Sequence, residues 1–265
     1  MKENILKSIG IFTLLCISIL LFLTSQVLAG PMADWGDNPD TYSTLDASNG
    51  PYHLDGSHEW LGINPPDYEN DGQPTLNSDG DDANFIDDED GITFVGTVDP
   101  VTGDIIDSNR YWGGLYGQVD ILAMVSQWDS GRYGLDDLLY IDGWFDWTHD
   151  GDYDESGIVY SGPYAGEAWS EHAVSFSTDP STWGQNSQIF SMIFLIGQGP
   201  TGVIHSRWRL SYDDGSNEYF GMKTFGEVED YGPIPDKDQS SIPEPATMLL
   251  LGFSFIAFIG IKKKV

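Results

Sequence analysis

Apolar residues gather at the two ends of the chain and alternate with polar ones between them. Lys2 and Lys7 precede an apolar stretch from Ile9 to Leu23, and Val27 and Ala29 then stand where a signal peptidase reads small residues. This pattern predicts a signal helix over 1–29, removed before Gly30, with an uncleaved N-terminal anchor as the alternative. At the other end an apolar run, Ala246 to Ile261, is followed by Lys262, Lys263 and Lys264. A helix of that length spans about 24 Å, short of a hydrocarbon core of about 30 Å, so a permanent anchor would be longer. The lysines hold that end on the cytoplasmic side, which places the rest of the protein outside.

From Gly30 to about Asp90 little is periodic: Asp, Asn, Gly and Pro dominate, punctuated by Trp35, Tyr42, Tyr52 and Trp60. The spacing predicts a long acidic strap over 30–90, loop-rich and pinned to a core by its rings. Strand patterns begin at Ile92 and recur at Gln118–Gln127, Leu138–Trp147, Gly157–Tyr160, Ala173–Ser177, Gln188–Ile196, Ile204–Tyr212 and Tyr219–Phe225. Ile189 to Ile196 is apolar apart from Ser191, as expected of a strand buried on both faces. Ala165 to His172 suggests a helical turn or two. Strands at this spacing, with Gly, Asp and Pro at the joints, predict an all-β antiparallel sandwich over 91–232. Pro233 to Ser241 then reads as an extended linker over 233–241, leading into a terminal segment over 242–265.

Charge changes the picture most. The chain carries 42 acidic and 11 basic residues, a formal net charge of −31. All the acids except Glu3 and Glu244 lie between Gly30 and Ser240, against Arg110, Arg132, Arg207, Arg209, Lys223 and Lys237. Such a surface repels nucleic acid, so no nucleic-acid partner is expected. Self-repulsion also opposes a compact fold unless cations sit among the carboxylates, and calcium is the oxygen-seeking ion available outside a cell. The one cysteine, Cys16, lies in the signal segment, so no disulfide is expected to hold the exported form together.

The clearest cation-site candidate runs from Asp146 to Glu155. Asp146, Thr148 and Asp150 present oxygens at alternate positions, Gly151 permits a sharp turn, and Asp152, Asp154 and Glu155 follow. Gly157 stands where a closing glutamate would complete an EF-hand loop, so the site is not an EF-hand; the alternative is an acidic turn without an ion. A second cluster, Asp87, Asp88, Glu89 and Asp90, is either a solvated loop or a contributor to a metal site. Near the end of the domain, alternation sends Glu227 and Glu229 to one side of a strand and Asp230 to the other, with Arg207 or Arg209 as the partner for one carboxylate while another faces a cation.

The tail Pro243-Glu244-Pro245, short apolar run and lysine end resembles the PEP-CTERM sorting signal of Gram-negative bacteria that make extracellular polysaccharide. The resemblance implies a passage through the inner membrane, processing near Pro243–Pro245 by an exosortase-type enzyme, and delivery to the cell surface or extracellular matrix. Gly226-Glu227-Val228-Glu229-Asp230-Tyr231 resembles the GEVED domain of bacterial surface proteins, as do Asp34–Tyr42, Asp87–Phe94, Trp144–Tyr153 and Arg207–Ser211, although Thr148-His149 departs from its usual Asn-Gly. That resemblance implies a secreted β-sandwich.

No His-Glu-x-x-His or Gly-x-Ser-x-Gly pattern occurs, and an acid pair among so many carboxylates says little about glycoside hydrolysis. The expectation is a non-catalytic, calcium-stabilised surface or matrix protein associated with extracellular polysaccharide. A carbohydrate-binding module using Trp112, Trp128, Trp169 and Trp183 is the alternative, and a glycoside hydrolase the more distant one.

Overall fold

In a computed structural model, the structure describes residues 32–80, 88–107, 116–126, 138–197, 202–212 and 218–235. The expected signal helix, the membrane segment 246–261, Asp87, Trp112 and Trp128 lie outside them. The described residues form thirteen strands: β1 (Asp34–Trp35), β2 (Tyr52–Asp55), β3 (Glu59–Leu61), β4 (Ile92–Val98), β5 (Ile105–Asp107), β6 (Tyr116–Val125), β7 (Leu139–Phe145), β8 (Ser156–Ile158), β9 (Ala168–Ser170), β10 (His172–Thr178), β11 (Ser187–Leu195), β12 (Val203–Ser211) and β13 (Met222–Pro235).

Two sheets account for all but β8 and β9. One has the order β1-β2-β13-β12-β7-β10; the other runs β11-β6-β4-β5, with β3 pairing β6 beyond the end of β4. Every named pairing is antiparallel except β13 with β2. Alternation is cleanest in β6, where Val119, Ile121, Ala123 and Val125 are buried and the residues between them are half-buried. They meet Leu139, Ile141, Phe145, Trp208 and Leu210 of the first sheet in one apolar core, the two-layer packing expected when each sheet has one apolar face. Phe145 stacks on Trp147 and Phe194 at ring centroid distances of 4.7 and 5.0 Å.

The outer face of the first sheet, which carries Asp142, Trp144, Arg207, Arg209 and Asp230, is covered by the strap. Trp35, Tyr42 and Trp60 are buried, and Trp35 stacks on Tyr52. The strap also contributes strands to both sheets, so it is woven into the sandwich rather than laid over it.

Three expectations are corrected. β11 is an edge strand: Ile189 is 59% and Ile193 40% exposed, because only the other side chains of the run turn toward the core. Ala165 to His172 holds no helix; Ala168–Ser170 pairs with β8 as a hairpin whose turn uses Gly162 and Gly166 at positive φ. β13 continues to Pro235, into the stretch expected to be a linker, because its pairing with β12 extends to Val203 opposite Pro235.

Candidate functional site

Strand β7 ends by delivering Asp146, 1% exposed, to the start of the acidic loop. One carboxylate oxygen accepts the N–H groups of His149 and Asp150, and the other accepts Gly151 N–H at 3.1 Å and the Tyr42 hydroxyl at 2.6 Å. The chain therefore wraps around Asp146, with His149 (φ 62°) and Gly151 (φ 97°) taking the left-handed turns. Asp146 organises the loop, and its lone pairs are engaged by those donors. Thr148 donates through both N–H (3.1 Å) and hydroxyl (3.2 Å) to Glu171. Asp154 is exposed.

Asp150, Asp152 and Glu155 are the residues this loop brings together: each offers a carboxylate oxygen, and the three lie within 4.8 Å of one another. Of the six candidates in 146–155, Asp146, Thr148 and Asp154 fall outside this trio. Behind it stands Glu171, fully buried between β9 and β10, which accepts the N–H of Glu155 at 3.1 Å and contacts the Glu155 carboxyl. That contact, with burial and the charges of Asp152 and Asp150, pushes the Glu155 carboxyl up to about 8. Burial also raises Glu171 and, with the Asp150 and Asp154 charges, Asp152. Carboxyls crowded in this way hold either protons or a cation. An oxygen-only donor set of partly exposed carboxylates suits calcium. Sequence reasoning missed Glu171, since nothing in its local pattern ties it to a loop sixteen residues upstream.

Around the second cluster, Asp90 accepts the N–H of Ile63 (2.6 Å) and the side-chain amide of Asn64 (3.1 Å), while Asp88 accepts the N–H of Asp67 (2.8 Å). Both fasten the end of the strap, just before β4, to its middle. Glu89 is half-buried.

On β12 and β13, Arg207 and Asp230 are fully buried and joined by two hydrogen bonds, at 2.7 and 2.8 Å. Arg207 also donates to the Tyr42 carbonyl (2.8 Å) and the Thr44 hydroxyl (3.0 Å). Asp230 accepts the N–H groups of Asp37 (2.9 Å) and Asn38 (2.8 Å). This network clasps the strap to the outer face of the sheet. Arg209 donates to the carbonyls of Glu218, Phe220 and Gly221 and to His53. Glu227 and Glu229 face the opposite side of β13.

Of the aromatic candidates for sugar contact, Trp169 and Trp183 are half-buried and pack on the core, and the Trp183 indole donates to Thr178. In the Ser170-Glu171-His172 run, the Ser170 hydroxyl accepts the His172 N–H, and the His172 ring bonds Asp142 at 2.8 Å and stacks on Trp144.

Comparison with curated proteins and with solved structures gives no match. A family model, the PEP-CTERM protein-sorting motif, matches residues 241–264, the segment that carries Pro243, Glu244, Pro245 and Lys262 to Lys264. Signals of this kind are recognised by exosortase-type enzymes and imply export and sorting to the surface or extracellular space of a Gram-negative bacterium.

Proposed function

We propose that this protein is a non-catalytic β-sandwich of the GEVED type, sorted to the cell surface or extracellular matrix, stabilised there by calcium and associated with extracellular polysaccharide. The observation that carries the reading is the sorting motif at 241–264, placed directly behind a folded all-β domain. In the working order, the apolar run 246–261 inserts transiently, Lys262 to Lys264 remain cytoplasmic, and an exosortase-type enzyme releases the domain near Pro243–Pro245. Calcium is assigned to the Asp150, Asp152 and Glu155 trio, with Glu171 fixing the loop from behind. The Arg207–Asp230 clasp serves structure. The half-buried, core-packed Trp169 and Trp183 favour a structural role over a sugar platform.

Mass spectrometry of the extracellular form tests the sorting step. The expected species ends near Pro243–Pro245. Recovery chiefly of protein that retains Lys262 to Lys264 would make the tail a lasting anchor and overturn it.

A further inference from the structure

The cross-strand register sets Glu229 opposite Trp208 and Glu227 opposite Leu210. Trp208 and Leu210 belong to the apolar core, so both glutamates project from the inner face of β13, toward the space between the sheets. Each is 1% exposed. Glu229 accepts the Gly91 N–H and the Tyr231 hydroxyl, both at 3.0 Å. One oxygen of Glu227 accepts the N–H of Leu61. Its other oxygen, Oε1, is buried with no hydrogen-bond partner.

The charges that bear most on Glu227 are carboxylates: Glu229, Asp34 and Asp88. Asp34 and Asp88 are 3% and 5% exposed. Asp34 is held against β13 by the Val228 N–H at 2.7 Å, and Asp88 against the strap by the Asp67 N–H. Burial and this crowding push the Glu227 carboxyl well above its ordinary range. A proton on Oε1 neutralises Glu227 alone and needs an acceptor of its own. A divalent cation has no such need: it accepts a bare carboxylate oxygen directly and offsets the surrounding negative charge.

We propose that a calcium ion binds on the inner face of β13, with Glu227 Oε1 as its anchoring ligand and the carboxylates of Asp34 and Asp88 drawn to it. Among the described residues, the trio Asp150, Asp152 and Glu155 already stands within ligating distance; the inner site closes around its ion instead. Closure joins β1 of the strap, the segment before β4, and β13, three parts of the chain distant in sequence. The inner ion is thus a staple for the strap, and it does not rest on the loop at Asp150.

Calorimetric titration of the full chain with calcium alone, at fixed ionic strength, tests the site in wild type, Glu227→Gln and Asp150→Asn. The expected result is that Glu227→Gln loses one equivalent of calcium that Asp150→Asn retains. In chelator, Glu227→Gln should melt close to wild type, since the neutral amide stands in for a carboxyl that keeps its proton when no ion is bound. A Glu227→Gln protein with native near-UV dichroism and unchanged calcium stoichiometry overturns the inner site, whatever Asp150→Asn does. Loss of binding in Glu227→Gln alone upholds the inner site and removes the loop site. No binding in wild type overturns both. If Glu227→Gln does not fold, Asp88→Asn replaces it with the same expectations for stoichiometry.

Discussion

On the outer face of β13, Asp230 meets a resident cation; on the inner face, Glu227 and Glu229 meet hydrogen-bond donors and other carboxylates. All three are about equally buried. Asp230 receives two hydrogen bonds from Arg207 and two from strap N–H groups, so its charge is neutralised within the chain. The glutamates have Leu61, Gly91 and Tyr231 as donors, with Asp34, Asp88 and Asp90 among the charges acting on them. Burying a charge is unfavourable unless it is paired. The outer clasp is therefore complete as translated. On the proposed reading the inner face takes its counter-charge from the surroundings, since an exported protein moves from a compartment poor in free calcium to one that contains it.

The largest expected effect falls on the outer face. Arg207→Ala leaves Asp230 buried without its partner and should destabilise by about 3–5 kcal/mol, lowering the melting temperature by roughly 6–20 °C. Thermal unfolding followed by circular dichroism checks this; a shift within a degree or two would mean that the strap N–H groups suffice. Gly91→Ala probes the inner face. A Cβ there would meet Leu61 Cβ at 2.5 Å and Glu229 Oε2 at 2.8 Å, and overpacking of this kind costs about 1–3 kcal/mol.

A smaller effect concerns pH. Glu155 is raised to about 8, and Glu171, Asp152, Glu227 and Glu229 are raised as well. The folded, ion-free protein thus keeps protons that the unfolded chain releases above the ordinary carboxylate range, so stability falls as pH rises from about 4.5 toward 8. In chelator, the melting temperature should decline across that window, and calcium should flatten the decline by replacing protons as the counter-charge. A flat profile in chelator would contradict the crowding of these acids. Smallest of all, Thr148→Val removes one hydroxyl bond to Glu171 and should cost roughly 0.5–1.5 kcal/mol, read by urea unfolding.

The sheet pattern was legible where alternation was strict, as in β6, and misleading where burial depended on neighbours. β11 has the composition of a central strand but lies at an edge, a fact set by which strands pair and not by its own residues. Alternation separated Asp230 from Glu227 and Glu229. Which side faced the core required knowing that Trp208 and Leu210 stand opposite the glutamates. At the loop, Gly151 marked the turn, yet Asp146 proved to be its organiser and Glu171 its support, because backbone N–H groups compete for carboxylate oxygens and long-range partners leave no local signature.

The most direct test of the calcium account is the melting temperature of the full chain in calcium, in magnesium and in chelator at matched ionic strength. Calcium a hundredfold above its dissociation constant stabilises a single site by about 2.7 kcal/mol, a rise of roughly 5–10 °C for a domain of this size. Magnesium should give distinctly less, since it accepts irregular carboxylate geometry poorly. Superimposable melting curves in all three conditions would contradict the account.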